Sequence, residues 1–463
     1  MLKSALRIPL LLVLLSVVVP LIAPRTASAA ARAQEIEKAY QQAIEKVVPT
    51  YVMIGGGSGV VISKDGLMLT NHHVIARGYN KGKRTGWPVR IGAEDKKFYK
   101  ADILGTDPIG DIALLKISGT KNLPFVEFTD SEALVVGQQV IAIGNPFGTM
   151  EGTGDPTVTL GVVSCLHRFR GTYSDAIQTD APINPGNSGG PLLTMEGKLA
   201  GINGRIATKH GARANTGIGL AIPANQIKRF IPLMEAAKGG MVHHAELRGI
   251  PVPSGMLGET EEKDGIRNGA EIDSVQEGSP ADKFGLKAGD RITHVDDISI
   301  LNIARLHGVI GTYPAGSVVT MRGVRDGKPL KIEGKLQRYD RATLGFTVIG
   351  QRRTRESLQL QLRLRKDRNA KIPVKVETVD ASQPAAKAGL KKGDVILEID
   401  GQPMTNYITF IQHLRKLGQE GRFVPGEMLK LKIRSDKGPE RQLDVALGSS
   451  IAAFEARTKG KKK

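Results

Sequence analysis

At the usual ~150 residues per domain, a chain of 463 residues has room for about three domains. With 40% hydrophobic and 24% charged residues it has enough apolar material for several cores. Cys165 is the only cysteine, which excludes an intrachain disulfide and any cysteine-based metal site. The formal charge of +19 favours an anionic surface such as membrane lipid or cell-wall polymer. It is spread along the chain rather than gathered in a block, and no nucleic-acid-binding motif accompanies it, so no nucleic acid is expected as a partner.

The first residues read as an export signal. Lys3 and Arg7 precede an apolar run from Ile8 to Ala23, followed by Ala27-Ser28-Ala29, a small-x-small cleavage pattern. The run holds 16 residues and contains Pro9 and Pro20, whereas a spanning helix wants about 20. A cleaved signal peptide over residues 1–29 is therefore expected ahead of a retained anchor, with an exported, periplasmic or cell-envelope location. Residues 34–48 then follow a helical spacing, with Ile36, Tyr40, Ala43, Ile44 and Val47 on one face and Pro49 as the stop.

Tyr51 to Ile54, Val60 to Ile62 and Leu67 to Leu69 read as strands separated by glycine turns. Gly55-Gly56-Gly57-Ser58-Gly59 invites a phosphate-loop reading, but no Gly-Lys-Ser/Thr follows it and no helix opens. Thr70 to Ile75 closes the third strand, which places His72 and His73 on opposite faces, so only one of them can look into a given site. No partners at metal-binding spacing accompany them, and no metal or other cofactor is expected. Asp107-Pro108-Ile109-Gly110-Asp111 is a turn between two strands, with Asp107 a plain turn former. Asp111 stands at the mouth of an apolar strand, where an acid is expensive unless hydrogen-bonded.

Further strands are expected over 139–143, 158–164, 177–179, 199–203 and 218–222, with a loop near Arg168-Phe169-Arg170. A helix over 224–238 ends at Gly239-Gly240 and is followed by a linker over 241–246. Many short strands and almost no helix before Ala224 mean a β-barrel or sandwich.

Inside this β-rich unit lies Asp180-Ala181-Pro182-Ile183-Asn184-Pro185-Gly186-Asn187-Ser188-Gly189-Gly190-Pro191. Such a loop can turn successive N–H groups outward as an oxyanion hole, with Ser188 as nucleophile and the N–H groups of Gly186 and Ser188 as donors within the Gly186-Asn187-Ser188 run. Alone it is equally readable as turn chemistry before a buried strand.

The last two hundred residues contain a duplication. Ser279 to Ile292 recurs as Gln383 to Ile396, and Gly285 to Gly389 and Asp290 to Asp394 both differ by 104 positions. Each copy reads as a short helix, a Gly-Asp turn, a strand and a second helix, so two tandem domains are expected rather than a solenoid, whose repeats run about 20–50 residues.

Thr70-Asn71-His72-His73-Val74, Asp107 to Ala113, Gln178-Thr179-Asp180 running into Gly186-Asn187-Ser188-Gly189-Gly190, Gly217 to Pro223, and the duplicated Pro-Ala-x-x-x-Gly-Leu-x-x-Gly-Asp together resemble the HtrA (Deg) family of serine proteases over residues 34–447. The resemblance implies a mainly β fold: a chymotrypsin-like double β-barrel protease domain (34–240), then two PDZ domains (246–338 and 341–447), each a partly open α+β barrel, and a basic tail (448–463). It implies His73, Asp111 and Ser188 as the catalytic triad, with His72 a bystander. Ile183 and Ile218 match positions lining the primary specificity pocket, which points to cleavage after small or medium aliphatic residues.

Leu344-Gly345-Phe346 resembles the carboxylate-binding loop of a PDZ domain. Arg248-Gly249-Ile250 is its counterpart in the first copy, but Pro251 and Pro253 remove pairing donors there, and that domain reads as a structural or regulatory spacer. The implied function is ATP-independent endoproteolysis of misfolded or unfolded exported proteins, with PDZ domains holding substrate or activating C-termini and a homotrimer or larger oligomer as the unit. The alternative is a PDZ-based chaperone or binding protein with an inactive or latent protease domain.

Overall fold

A computed structural model of the chain describes residues 31–93, 97–146, 155–170, 173–206, 217–246, 269–275, 280–338, 342–343, 346–348, 367, 370–420, 422–423, 425–435 and 438–449. The expected signal peptide (1–29), Arg248-Gly249-Ile250, Leu344, Gly345 and the tail from residue 450 lie outside the described residues. Among the described residues no helix is long and apolar enough to cross a membrane.

The first helix, α1 (31–47), buries Ala43 and Val47 in the core below it, and Pro49 ends it as expected. Six strands then close a barrel: β1 (Tyr51–Ile54), β2 (Gly57–Val61), β3 (Leu67–Thr70), β4 (Trp87–Ile91), β5 (Tyr99–Asp107) and β6 (Ile112–Ser118). They pair in the order β5-β4-β1-β2-β3-β6, and β6 returns to β5. A second closed barrel runs β10-β11-β12-β9-β8-β7, built from β7 (Gln139–Gly144), β8 (Thr157–Arg170), β9 (Tyr173–Thr179), β10 (Pro191–Thr194), β11 (Leu199–Ile206) and β12 (Gly219–Pro223). Closure removes the free edges that short, buried strands would otherwise expose.

Two expectations fail in this unit. His72–Tyr79 is a helix, α2, not the end of a strand. Its buried residues His72, Ile75 and Tyr79 fall at helical spacing. His72 and His73 therefore diverge by a helical step rather than by the strand alternation. The second failure is the loop near Arg168: β8 continues to Arg170 through several register shifts and meets β9 at Arg170 opposite Tyr173.

Helix α3 (Ala224–Ala236) precedes Gly239, whose φ of 81° is a left-handed conformation suited to glycine. The segment 241–246 is not a free linker. It begins in β13 (Gly240–Met241), paired parallel to β5, and ends in β14 (Ala245–Glu246).

The first repeat comprises β15 (Ala270–Glu271), α4 (Pro280–Phe284), β16 (Arg291–Val295), β17 (Ile298–Ser299), α5 (Ile303–Ile310), β18 (Val318–Arg325), β19 (Lys328–Lys335) and β20 (Gln337–Arg338). The second comprises β21 (Ala342–Thr343), β22 (Phe346–Val348), β23 (Val374–Val379), α6 (Pro384–Lys387), β24 (Val395–Ile399), β25 (Gln402–Pro403), α7 (Tyr407–Gln419), β26 (Met428–Arg434), β27 (Glu440–Ala446) and β28 (Gly448–Ser449). The repeated Gly-Asp turn has the same purpose in both. Asp290 accepts the Lys287 N–H at 2.8 Å and pairs with Arg325, and Asp394 accepts the Lys391 N–H at 2.9 Å and pairs with Arg441. Both acids are buried, so each conserves its turn by satisfying a main-chain donor and an arginine together.

Helix α5 of the first repeat lies against β8 and β9. Arg305 near its start pairs with Glu132 at 2.9 Å and with Asp175; these two acids and His167 lie close enough together to hold a metal ion, but the guanidinium takes up both carboxylates. His307 on this helix is half-buried, but its Nε2 is out of reach of solvent and has no partner among the described residues, and this burial of the ring pushes its pKa down to about 4. An unfolded chain protonates this ring near pH 6.5 and the folded one only near pH 4, so its neutral-state stabilisation is complete above 6.5 and lost as pH falls between the two. The loss is on the order of 3 kcal/mol by pH 4. Thermal melting from pH 7 to 4 should therefore fall more steeply for the wild type than for His307→Phe; parallel curves would contradict this.

Candidate active site

Sheet register brings the acid and the histidine together. Thr70 at the end of β3 is paired with Ala113 on β6, and Asp107 is paired with Ile112 across the turn that carries Asp111. Three residues past Thr70 stands His73, and two residues before Ala113 stands Asp111. Asp111 has φ = 63°, an uncommon conformation for a residue other than glycine.

That turn is held from several sides. Asp107 Oδ1 accepts the N–H groups of Ile109 and Gly110, the turn role expected of it. Beyond that role, its Oδ2 meets His244 Nε2 in a fully buried pair, while His244 Nδ1 donates to the Gly311 carbonyl of the first repeat at 2.7 Å. An oxygen thus faces each nitrogen of the His244 ring, which ties the turn to the first repeat.

Asp111 receives a converging set of donors. Its Oδ1 accepts the His73 main-chain N–H at 2.9 Å, and His73 Nδ1 lies 3.0 Å from Oδ1 and 2.8 Å from Oδ2. The Tyr173 hydroxyl donates to Oδ2 at 2.7 Å. Asn71 Nδ2 and the His72 N–H donate to its carbonyl. Because the His72 and His73 N–H groups open α2, and that of His73 reaches Oδ1, the positive end of a helix faces the carboxylate. Burial raises the Asp111 pKa, but the hydrogen bond and charge of His73, aided by the Tyr173 hydroxyl, outweigh it and hold the acid below the ordinary carboxylate range. The Asp111 side chain is 4% exposed and that of His73 is 47% exposed, so the ring is fixed on one side and open to a ligand on the other.

His72 points away from this pair. Its Nδ1 meets Thr106 Oγ1 at 2.8 Å, and burial, partly offset by the charges of Asp111 and Asp107, lowers its pKa. It is a neutral ring satisfied within the first barrel.

Ser188 comes from the second barrel, on the loop entering β10, and the two barrels meet at it. The Ser58 N–H of β2 donates to the Ser188 carbonyl at 2.9 Å, and Ser58 Oγ donates to the Gly186 carbonyl at 2.7 Å. Gly189, with φ = 88°, passes so close to the first barrel that a Cβ there would overlap the Ser58 carbonyl of β2 and Thr70 Oγ1 of β3 and lie 3.0 Å from Asn71 N. The serine loop is thus seated on strands β2 and β3, just before the helix that carries His73.

The Ser188 hydroxyl does not donate to His73. It donates to the Gly204 carbonyl at 3.0 Å. Among the described backbone hydrogen bonds, none uses the N–H of Gly186 or Ser188. The Asn187 N–H closes a turn onto the Asn184 carbonyl at 3.0 Å, which removes Asn187 from the expected donor run.

Ile183 is buried in the second barrel's core, where a Cβ on Gly219 would lie 2.7 Å from its Cδ1, and Ile218 beside it is half-buried. Both side chains are aliphatic and uncharged. Phe346 opens β22, a terminal strand of its sheet among the described residues. Sequence reasoning missed Tyr173 and Gly204, and it undervalued Asp107. The only available signal was the pair Asp107 and Asp111 four residues apart in one short turn.

Residues 57–202 match the profile of the trypsin-like peptidase domain, and residues 271–325 and 375–422 match that of the PDZ domain. The periplasmic serine endoprotease DegP of Salmonella typhimurium is 37% identical over 367 residues, covering 78% of this chain and 71% of that protein. The DegP of Escherichia coli K12 is 37% identical over 372 residues, with the same coverage of 78% and 71%. A probable periplasmic serine protease, do/HhoA-like, of Haemophilus influenzae is 36% identical over 362 residues, covering 76% and 72%.

Proposed function

The chain belongs to the HtrA (DegP) family of serine endoproteases, and from that premise we propose that it degrades unfolded exported proteins without ATP, using Ser188 as nucleophile, His73 as general base and Asp111 as the acid that orients it. The observation that carries this reading is the double hold of Asp111 on the main-chain N–H and Nδ1 of His73, beside a serine loop bonded to the neighbouring barrel.

The reaction follows from these atoms. Asp111 keeps the proton of His73 on Nδ1, which leaves Nε2 free as a base. The Ser188 hydroxyl leaves the Gly204 carbonyl by a side-chain rotation and gives its proton to Nε2 as its oxygen attacks the substrate carbonyl. The charge that develops on the carbonyl oxygen is taken by the N–H groups of Gly186 and Ser188. His73 then returns the proton to the departing amine, and water repeats the sequence on the acyl-enzyme.

Ile183 and Ile218, as the aliphatic residues at the positions matched to the specificity pocket, favour small or medium aliphatic residues at the cleaved position. A peptide-library digest should give Ala, Val, Leu or Ile there, and a basic preference would contradict the assignment. In the second PDZ domain, the terminal strand β22 suits addition of a substrate or activator C-terminus as a further strand, with Leu344-Gly345-Phe346 holding its carboxylate. The first PDZ domain, whose α5 is engaged with β8 and β9 of the second protease barrel, serves as a structural or regulatory spacer. Export to the periplasm agrees with the location named for the relatives. The basic surface suits contact with anionic envelope polymers, and assembly as a homotrimer or larger oligomer would draw on α1, which leaves Ile36 exposed. The purified chain should degrade unfolded casein and lose that activity to a serine-reactive organophosphate; intact casein after long incubation would refute the proposal.

A further inference from the structure

Tyr173 begins β9, is 2% exposed, and donates its hydroxyl to the same Asp111 oxygen that His73 Nδ1 approaches at 2.8 Å. The phenol reaches that oxygen because residue 204 is glycine. A Cβ on Gly204 would overlap the Tyr173 hydroxyl and lie 2.7 Å from the ring carbons Cε2 and Cζ. The absence of a side chain on β11 is therefore filled by a side chain from β9, and the carbonyl of the same glycine holds the Ser188 hydroxyl. Gly204 and Tyr173 together touch both the acid and the nucleophile.

A buried phenol needs some acceptor, and any carboxylate would satisfy that need. This carboxylate is different because its orientation and charge decide the tautomer and basicity of His73. We propose that Tyr173 is a positioning residue for proteolysis: admitted by Gly204, it fixes the Asp111 carboxylate against His73 and moderates its charge. The proposal rests on the triad reading. A hydrogen bond to a charged group stabilises it more than a neutral one does, so its loss reaches the reaction through the His73–Asp111 pair.

The test uses the full chain and a chromogenic peptide, comparing wild type with Tyr173→Phe, which keeps the ring and removes the donor. The expected result is a fall in kcat of about 10- to 100-fold with KM nearly unchanged. The acid limb of kcat/KM should also move to higher pH, because a carboxylate that has lost a donor holds the His73 proton more strongly. An unchanged kcat and acid limb, whatever the melting temperature, overturns the proposal; so does a loss confined to KM.

Should Tyr173→Phe fail to fold, the same readouts apply to Tyr173→Ala with and without Gly204→Ser. A serine hydroxyl there occupies the place the phenol vacates, and the double variant should exceed Tyr173→Ala in kcat, while Gly204→Ser alone is impaired by overlap with Tyr173. No recovery in the double variant contradicts the shared-space account. Failure of the triad reading itself looks different: Ser188→Ala would retain activity.

Discussion

Ser188→Ala leaves a folded protein that no longer hydrolyses peptide bonds, with kcat lower by about 10⁶, the scale known for removing a triad serine from subtilisin. The structure makes this substitution clean. The Ser188 side chain contributes one hydrogen bond, to the Gly204 carbonyl, whereas its main-chain carbonyl accepts one of the bonds that join the two barrels. Alanine removes the first and keeps the second, so melting should shift little while turnover collapses. Peptide hydrolysis and a thermal melt on the same preparation check both halves. Substantial residual turnover would mean that the nucleophile lies elsewhere.

Asp111→Asn is the second large effect, with kcat expected to fall by about 10⁴. Three donors converge on the Asp111 carboxylate: the His73 N–H, His73 Nδ1 and the Tyr173 hydroxyl. A carboxylate accepts all of them, whereas an amide has one acceptor oxygen and one donor group. Wherever the amide nitrogen faces Nδ1, the His73 proton moves to Nε2 and the base is blocked. If the amide oxygen faces Nδ1 instead, its nitrogen opposes a donor that the carboxylate had accepted. Steady-state kinetics with casein or a peptide would check the size of the effect, and a loss below tenfold would argue that Asp111 only supports the fold.

Much of this site could be read from the residues because serine, histidine and aspartate each sit in a short, chemically unusual run. The glycines around Ser188 and the tight turn at Asp111 are local facts, and the 104-residue repeat is visible without any contact map. The helix at His72 was hidden because eight residues follow directly from an apolar strand, and adjacent histidines carry no periodicity of their own. Its signature, His72, Ile75 and Tyr79 on one face, becomes decisive only when the barrel that covers that face is known.

Asp107 has the local chemistry of a turn, and it does make the turn. Its buried pairing with His244, 137 positions away, depends on how the first PDZ domain is seated. The Tyr173–Gly204 relation was beyond local reading altogether, since it consists of a missing Cβ on one strand and a hydroxyl arriving from another. The resting place of the Ser188 hydroxyl, on a carbonyl rather than on His73, is likewise a matter of geometry and not of residue type.

The central claim, that residues from two barrels meet to activate one serine, is tested most directly by fluorophosphonate labelling of the full chain, followed by mass-spectrometric mapping of the modified residue. The account predicts a single adduct on Ser188, formed at least a thousand-fold faster than on His73→Ala, a scale set by general-base and triad losses. Labelling of another serine, or equal labelling of Ser188 with and without His73, would contradict it.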